Sequence, residues 1–207
     1  MICIDKTKPL LSRAGVLLVV TLGLTRTALA HTGTDTGLGL TSGFLHPLTG
    51  LDHLVAMVAV GLWGAQLGSP AIWILPITFP LIMALGGVLG IAGVALPLSE
   101  LAIALSGIAL GALIAFRARA PLALAMLVVG LFAIFHGYAH GLELPQAADP
   151  LAYAVGFVVA TGMLHLCGIV IGLMVRWPMG EQAVRACGAA IGGVGVYFLL
   201  AASGAIG

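Results

Sequence analysis

Five of the six histidines in this 207-residue chain stand within or at the edge of apolar stretches, and four of those five fall in two short runs. The first run reads His46-Pro47-Leu48-Thr49-Gly50-Leu51-Asp52-His53. The second reads Phe135-His136-Gly137-Tyr138-Ala139-His140-Gly141-Leu142-Glu143. In the second run the polar residues recur at intervals of four and three, so a helix carries His136, His140 and Glu143 on one face. His46 and His53 are seven apart, again one face if a single helix holds both. Asp52 then points about 100° away from His53. From there it can coordinate directly or accept a hydrogen bond from a histidine ring. Imidazoles and carboxylates presented at matching depth by two helices are the donor set of a divalent transition-metal site. Imidazole suits nickel, cobalt, copper, zinc and iron, and mixed nitrogen and oxygen ligands without thiolate favour Ni²⁺, Co²⁺ or Zn²⁺ over copper(I). The candidate ligands are therefore His46, Asp52, His53, His136, His140 and Glu143. Two further histidines are candidates: His165, alone in another stretch and equally explained by a hydrogen bond to a neighbouring helix, and His31.

The elements that must position these groups follow from composition. Hydrophobic residues make up 61% of the chain and charged residues 7%, with a mean hydropathy of +1.20. A soluble domain carries about a quarter charged residues, so a water-covered globule is excluded. A net charge of +1 with no basic patch excludes nucleic acid as a partner. The 30 glycines follow no three-residue period, which excludes collagen. The remaining class is an all-α integral membrane protein.

Residues 1–30 are read as a signal peptide. Lys6, Lys8 and Arg13 precede the apolar run Ala14 to Leu24, and Ala28-Leu29-Ala30 offers small residues for cleavage. The mature chain would begin at His31, giving that residue both an amine and an imidazole. It carries four arginines against six carboxylates, a formal charge of −2. Cys3 leaves with the signal, while Cys167 and Cys187 sit in apolar stretches and suggest no disulfide framework.

Six apolar stretches follow, at about 47–67, 71–93, 99–116, 121–142, 151–175 and 183–205, each near the length that crosses a bilayer. They predict a single membrane domain over 31–207, a six-helix bundle with no second domain. An exported N-terminus places the loops after spans one, three and five in the cytoplasm. Arg117, Arg119, Arg176 and Arg185 all fall there, as the positive-inside rule requires. The protein thus reads as a multi-pass protein of the bacterial inner membrane with its mature N-terminus in the periplasm. Both histidine runs then lie toward the periplasmic surface. Gly64/Gly68, Gly86/Gly90, Gly107/Gly111, Gly137/Gly141, Gly168/Gly172 and Gly188/Gly192 are each four apart, one pair per span, and predict close helix approach. Any small-residue face left over would admit a homo-oligomer.

The stretch from His46 to Gly61, with its His-x₅-Asp-His core, resembles the signature of the HupE/UreJ family of membrane metal permeases. The run from Phe135 to Pro145 is similar to that family's second histidine motif, and the resemblance covers essentially the whole mature chain. It implies uptake of nickel, sometimes cobalt, that supplies hydrogenase or urease. It also implies metal-binding roles for His46, Asp52, His53, His136 and His140, with Glu143 beside them. Tyr138 stands where the family pattern also admits histidine, which leaves this helix two imidazoles.

The expected function is Ni²⁺ import from periplasm to cytoplasm, with Co²⁺ as a second cargo and no enzymatic activity. No Gly-Lys-Ser/Thr phosphate loop is present, so no nucleotide partner is expected. The competing class is an intramembrane hydrolase in which the same His/Asp cluster holds Zn²⁺ and Glu143 serves as general base. Paired-histidine haem carriage fits less well, because the ligands cluster at one membrane face.

Overall fold

In hydrocarbon every backbone N–H and C=O must find its partner within the chain, and an apolar run achieves this as a helix. The computed structural model describes residues 39–143 and 149–206. Among the described residues there are seven α-helices and one 3₁₀ turn, with no strand. They are α1 (Gly39–Thr49), α2 (Leu51–Leu67), α3 (Ala71–Ile91), α4 (Ser99–Ala115), α5 (Leu122–Glu143), α6 (Pro150–Gly172) and α7 (Pro178–Ala202). The 3₁₀ turn Leu173–Arg176 prolongs α6. All described residues belong to one compact unit. The expected signal peptide and His31 lie outside the described residues.

By length and apolarity, α3, α5, α7 and α6 with its 3₁₀ extension qualify as membrane spans. The expectation of a single first helix over 47–67 is corrected. Two helices, α1 and α2, meet there at 80° and count as a fifth span only if taken together. The break has a local cause. Pro47 has no N–H to give the helical ladder, and Gly50 is extended (φ −83°, ψ 105°). Thr49 Oγ1 donates to the His46 carbonyl at 3.0 Å, satisfying an acceptor at the end of α1. The chain also enters helix at Gly39, eight residues ahead of the expected start. At 17 residues, α4 is at the lower limit for crossing. Pro178 lets α7 begin five residues before the expected 183, because proline suits the first helical position. Asp149 caps α6 by accepting from the N–H groups of Leu151 and Ala152.

Glycine sets how the helices meet. Along α3 and α5, a Cβ at Gly86 or Gly90 would strike the Ile134 or Tyr138 carbonyl. On the opposite side, Gly137 and Gly141 face the Met83 and Gly87 backbone. In the same way Gly107 and Gly111 of α4 lie on Gly195 and Gly192 of α7, and Gly168 of α6 lies on Val58 and Leu62 of α2. These contacts put α3 against α5, α4 against α7, and α2 against α6, with α1 laid on the first half of α6. Gly68 departs from the expectation. It has φ +84° and no atom near a prospective Cβ, and its N–H donates to Gly64 O at 3.1 Å. It therefore ends α2 and packs against nothing.

The outward face of α3 is as apolar as its inward one. Trp73, Ile77, Leu81, Leu85 and Val88 are exposed, while Leu75, Phe79 and Met83 are buried. Such a helix suits lipid and would be an aggregation surface in water. At one end of the bundle Arg117 pairs with Glu181 at 2.7 Å, and Arg185 Nε donates to Ala115 O at 2.9 Å. There Trp63 and Gln66 also tie the end of α2 to the end of α4. The start of α2 and the end of α5, which carry most of the candidate ligands, lie at the opposite ends of their helices. Cys167 and Cys187 are both free thiols.

Candidate metal centre

Three helix ends converge to build the cluster. His46 comes from the last turn of α1, Asp52 and His53 from the first turn of α2, and His136, His140 and Glu143 from the last two turns of α5. The α1–α2 bend brings His46 and His53 together: their ring centroids are 6.4 Å apart although no single helix contains both. His140 sits in the middle, 4.9 Å from the His46 ring and 4.6 Å from the His53 ring. His53 is in turn 5.1 Å from His136.

One ligand atom from each of His46, His140 and Glu143 can be chosen so that all lie within 4.8 Å of one another. Glu143 Oε2 is 3.0 Å from His46 Nε2 and 3.8 Å from His140 Nδ1. A divalent ion bound at about 2.0–2.2 Å from each donor requires donors at such mutual distances. Side-chain exposure falls from 42% at Glu143 and 22% at His46 to 9% at His140, and His136 is fully buried. The carboxylate is thus the first group met from outside and His136 the last.

Hydrogen bonding fixes the tautomers. His53 Nδ1 lies 2.8 Å from Asp52 Oδ1, which also accepts the His53 backbone N–H at 2.9 Å. His136 Nδ1 lies 2.9 Å from the Phe132 carbonyl. Carboxylate and carbonyl oxygens only accept, so Nδ1 carries a proton in both rings and Nε2 is the nitrogen that presents a lone pair when the ring is neutral. Both Nε2 atoms are buried without a partner, as are both ring nitrogens of His140. An unsatisfied buried polar atom costs about 1–3 kcal/mol, and several crowded together are the mark of a site built for a ligand.

Asp52 therefore stands behind His53, orienting its ring and raising its basicity. Changing Asp52 to Asn turns that acceptor into an amide and releases the tautomer. Its expected effect is a drop in metal affinity of about 10–100-fold with the fold intact, read by metal titration of the purified protein. Unchanged affinity would mean that Asp52 does not set the ring.

The structure also adds residues that the histidine spacing did not indicate. Phe157 packs on His140 with centroids 4.3 Å apart, and Tyr153 lies 5.9 Å from His46 with its hydroxyl buried and unpartnered. Phe79 of α3 lies 5.4 Å from His136. In an apolar sequence aromatic residues read as core, so only their placement shows that they wall this cluster. His165 stands apart, its Nδ1 2.8 Å from the Met57 carbonyl.

A helical multi-pass membrane protein with imidazoles and carboxylates gathered at one end of its bundle is the class that fold and site define. The chain belongs to the HupE/UreJ family: the family profile described as HupE / UreJ protein matches residues 18–198. Protein HupE of Rhizobium leguminosarum bv. viciae is 44% identical to it over 179 residues, which cover 86% of this chain and 93% of that relative. No solved structure matches.

Proposed function

We propose that this protein carries Ni²⁺, with Co²⁺ as a second cargo, from the periplasm into the cytoplasm for the maturation of metalloenzymes such as hydrogenase or urease. The observation that carries the reading is the group of unpartnered imidazole nitrogens beside Glu143 at one end of the bundle. Membership of the HupE/UreJ family, associated with nickel and cobalt uptake, supports it.

In this reading the chain crosses the inner membrane six times after removal of residues 1–30. The bent α1–α2 pair forms the first crossing and α4 a short third one. The arginine-rich end faces the cytoplasm, so the cluster opens to the periplasm. His46, His140 and Glu143 take the ion from water, and Asp52-oriented His53 and then His136 receive it. Neutral imidazole replaces the hydration shell, while Glu143 offsets part of the ion's charge. Inward movement of a cation gains about 2.3 kcal/mol per elementary charge per 100 mV of membrane potential.

Zn²⁺ fits the same donors, but the hydrolase alternative needs a free general base. Glu143 instead touches His46 as part of the ligand group, which favours transport. The test is nickel-63 flux into proteoliposomes together with the metal content of the purified protein. The expected result is exchangeable nickel and flux that is lost in His53→Ala and His136→Ala. Tightly held stoichiometric zinc with no flux would overturn the reading.

A further inference from the structure

His165 is the one intramembrane histidine that the outer cluster does not use. It is 2% exposed, and its Nδ1 donates to the Met57 carbonyl, which accounts for one nitrogen only. The other, Nε2, is buried with no partner. A histidine that served only to peg α6 to α2 would leave that lone pair unsatisfied at a cost of about 1–3 kcal/mol. Yet it is held in the same state as His53 and His136: Nδ1 protonated and anchored, Nε2 bare.

Its place relative to the outer cluster is defined. Met57 follows His53 by one helical turn, about 6 Å further along α2. The Phe79 ring makes edge contacts with both imidazoles, 5.4 Å from His136 and 5.5 Å from His165. Thr161, one turn before His165 on α6, is fully buried with its hydroxyl 3.4 Å from Met57 Sδ. The polar groups around His165 are thus neutral: its own imidazole, the Met57 carbonyl it binds, and a Thr161 hydroxyl and Met57 thioether hydrogen-bonded to each other. Among the described residues no carboxylate pairs with it, whereas Asp52 and Glu143 stand in the outer cluster.

We propose that His165 is a second, inner stop for the transported ion, with the Phe79 ring as the apolar partition between it and His136. This rests on the import reading and deepens it. The charge difference gives the stop its use: carboxylates outside capture the hydrated cation, while the neutral inner donors hold it weakly enough to release. Conduction needs sites that bind well enough to be entered and weakly enough to be left.

The test compares His165→Ala and His165→Gln with wild type in two measurements: equilibrium binding of nickel-63 to purified protein, and nickel-63 flux into proteoliposomes. Gln keeps an N–H for the Met57 carbonyl but has no imidazole, so it separates a peg from a ligand. The expected result is flux reduced about tenfold or more in both variants, with high-affinity binding at the outer cluster within about twofold of wild type. That retained binding also shows that both variants fold. Wild-type flux in His165→Gln would overturn the inner stop and leave the import reading standing. Loss of high-affinity binding in both variants would place His165 in the outer cluster and overturn a separate stop. Wild-type protein that binds nickel without passing it would overturn the import reading and this inference with it.

Discussion

Alanine at His140 is expected to abolish nickel uptake while the protein still accumulates in the membrane. The ring is central: it lies 4.9 Å from His46, 4.6 Å from His53 and within reach of Glu143. On the proposed import path, removing it deprives the ion of a ligand and separates the outermost donors from His53. Loss of a supporting contact alone lowers metal affinity by about 10–100-fold, so loss of this ligand should cost at least the upper figure. Stability should respond little. Neither nitrogen of His140 has a hydrogen-bond partner to lose. The missing contact with Phe157 leaves a cavity, but two unsatisfied buried atoms disappear with the ring, each worth about 1–3 kcal/mol in the opposite direction. Nickel-63 uptake in cells lacking other nickel importers, normalised to protein in the membrane, measures both effects. Uptake within a factor of two of wild type would show that the ion passes elsewhere. Loss of the protein from the membrane would show that His140 serves structure.

The same residues show what the sequence could and could not reveal. The α5 face was legible because a regular helix converts intervals of four and three directly into proximity, and Glu143 does lie beside His140. The condition on the His46–His53 relation, that a single helix holds both, is not met. Seven residues on one helix would place the two imidazoles two turns apart, on a shared stripe. Instead the chain turns by 80° at Gly50 and brings the rings together around a corner. Pro47 and Gly50 carried that signal, but the apolar stretch that follows concealed it, because hydropathy registers length and not direction. Phe79 and Tyr153 were illegible for a different reason. An aromatic residue in an apolar helix looks the same whether it faces lipid, core or a metal ligand. The glycine pattern was legible where both members of a pair lie within a helix, as with Gly137/Gly141. It failed at Gly68, where the second glycine supplies a positive φ at a helix end.

That glycine pattern carries the second large effect. Replacing Gly137 by alanine is expected to destabilise the protein by about 1–3 kcal/mol, the usual cost of overpacking, and to lower nickel flux with it. The new Cβ would collide with the Met83 carbonyl, and it would also lie 2.9 Å from the Gly87 nitrogen. Both are backbone atoms within α3, so no side-chain rotation relieves the clash and the two helices must separate. The consequence reaches the site because α3 supplies Phe79 while α5 supplies His136 on one side of Gly137 and His140 on the other. Gly130→Ala is the control on the same helix. Its Cβ would meet only the Ile82 side chain, at 3.7 Å, an ordinary contact. Alanine there is expected to be neutral or to gain about 0.5–1 kcal/mol from reduced backbone entropy. Thermal unfolding of the two variants in the same lipid nanodiscs separates them. If Gly137→Ala melted with Gly130→Ala, the α3–α5 contact would be looser than a backbone-to-backbone fit. The positions of Phe79 and His136 would then have to be held by side-chain packing alone.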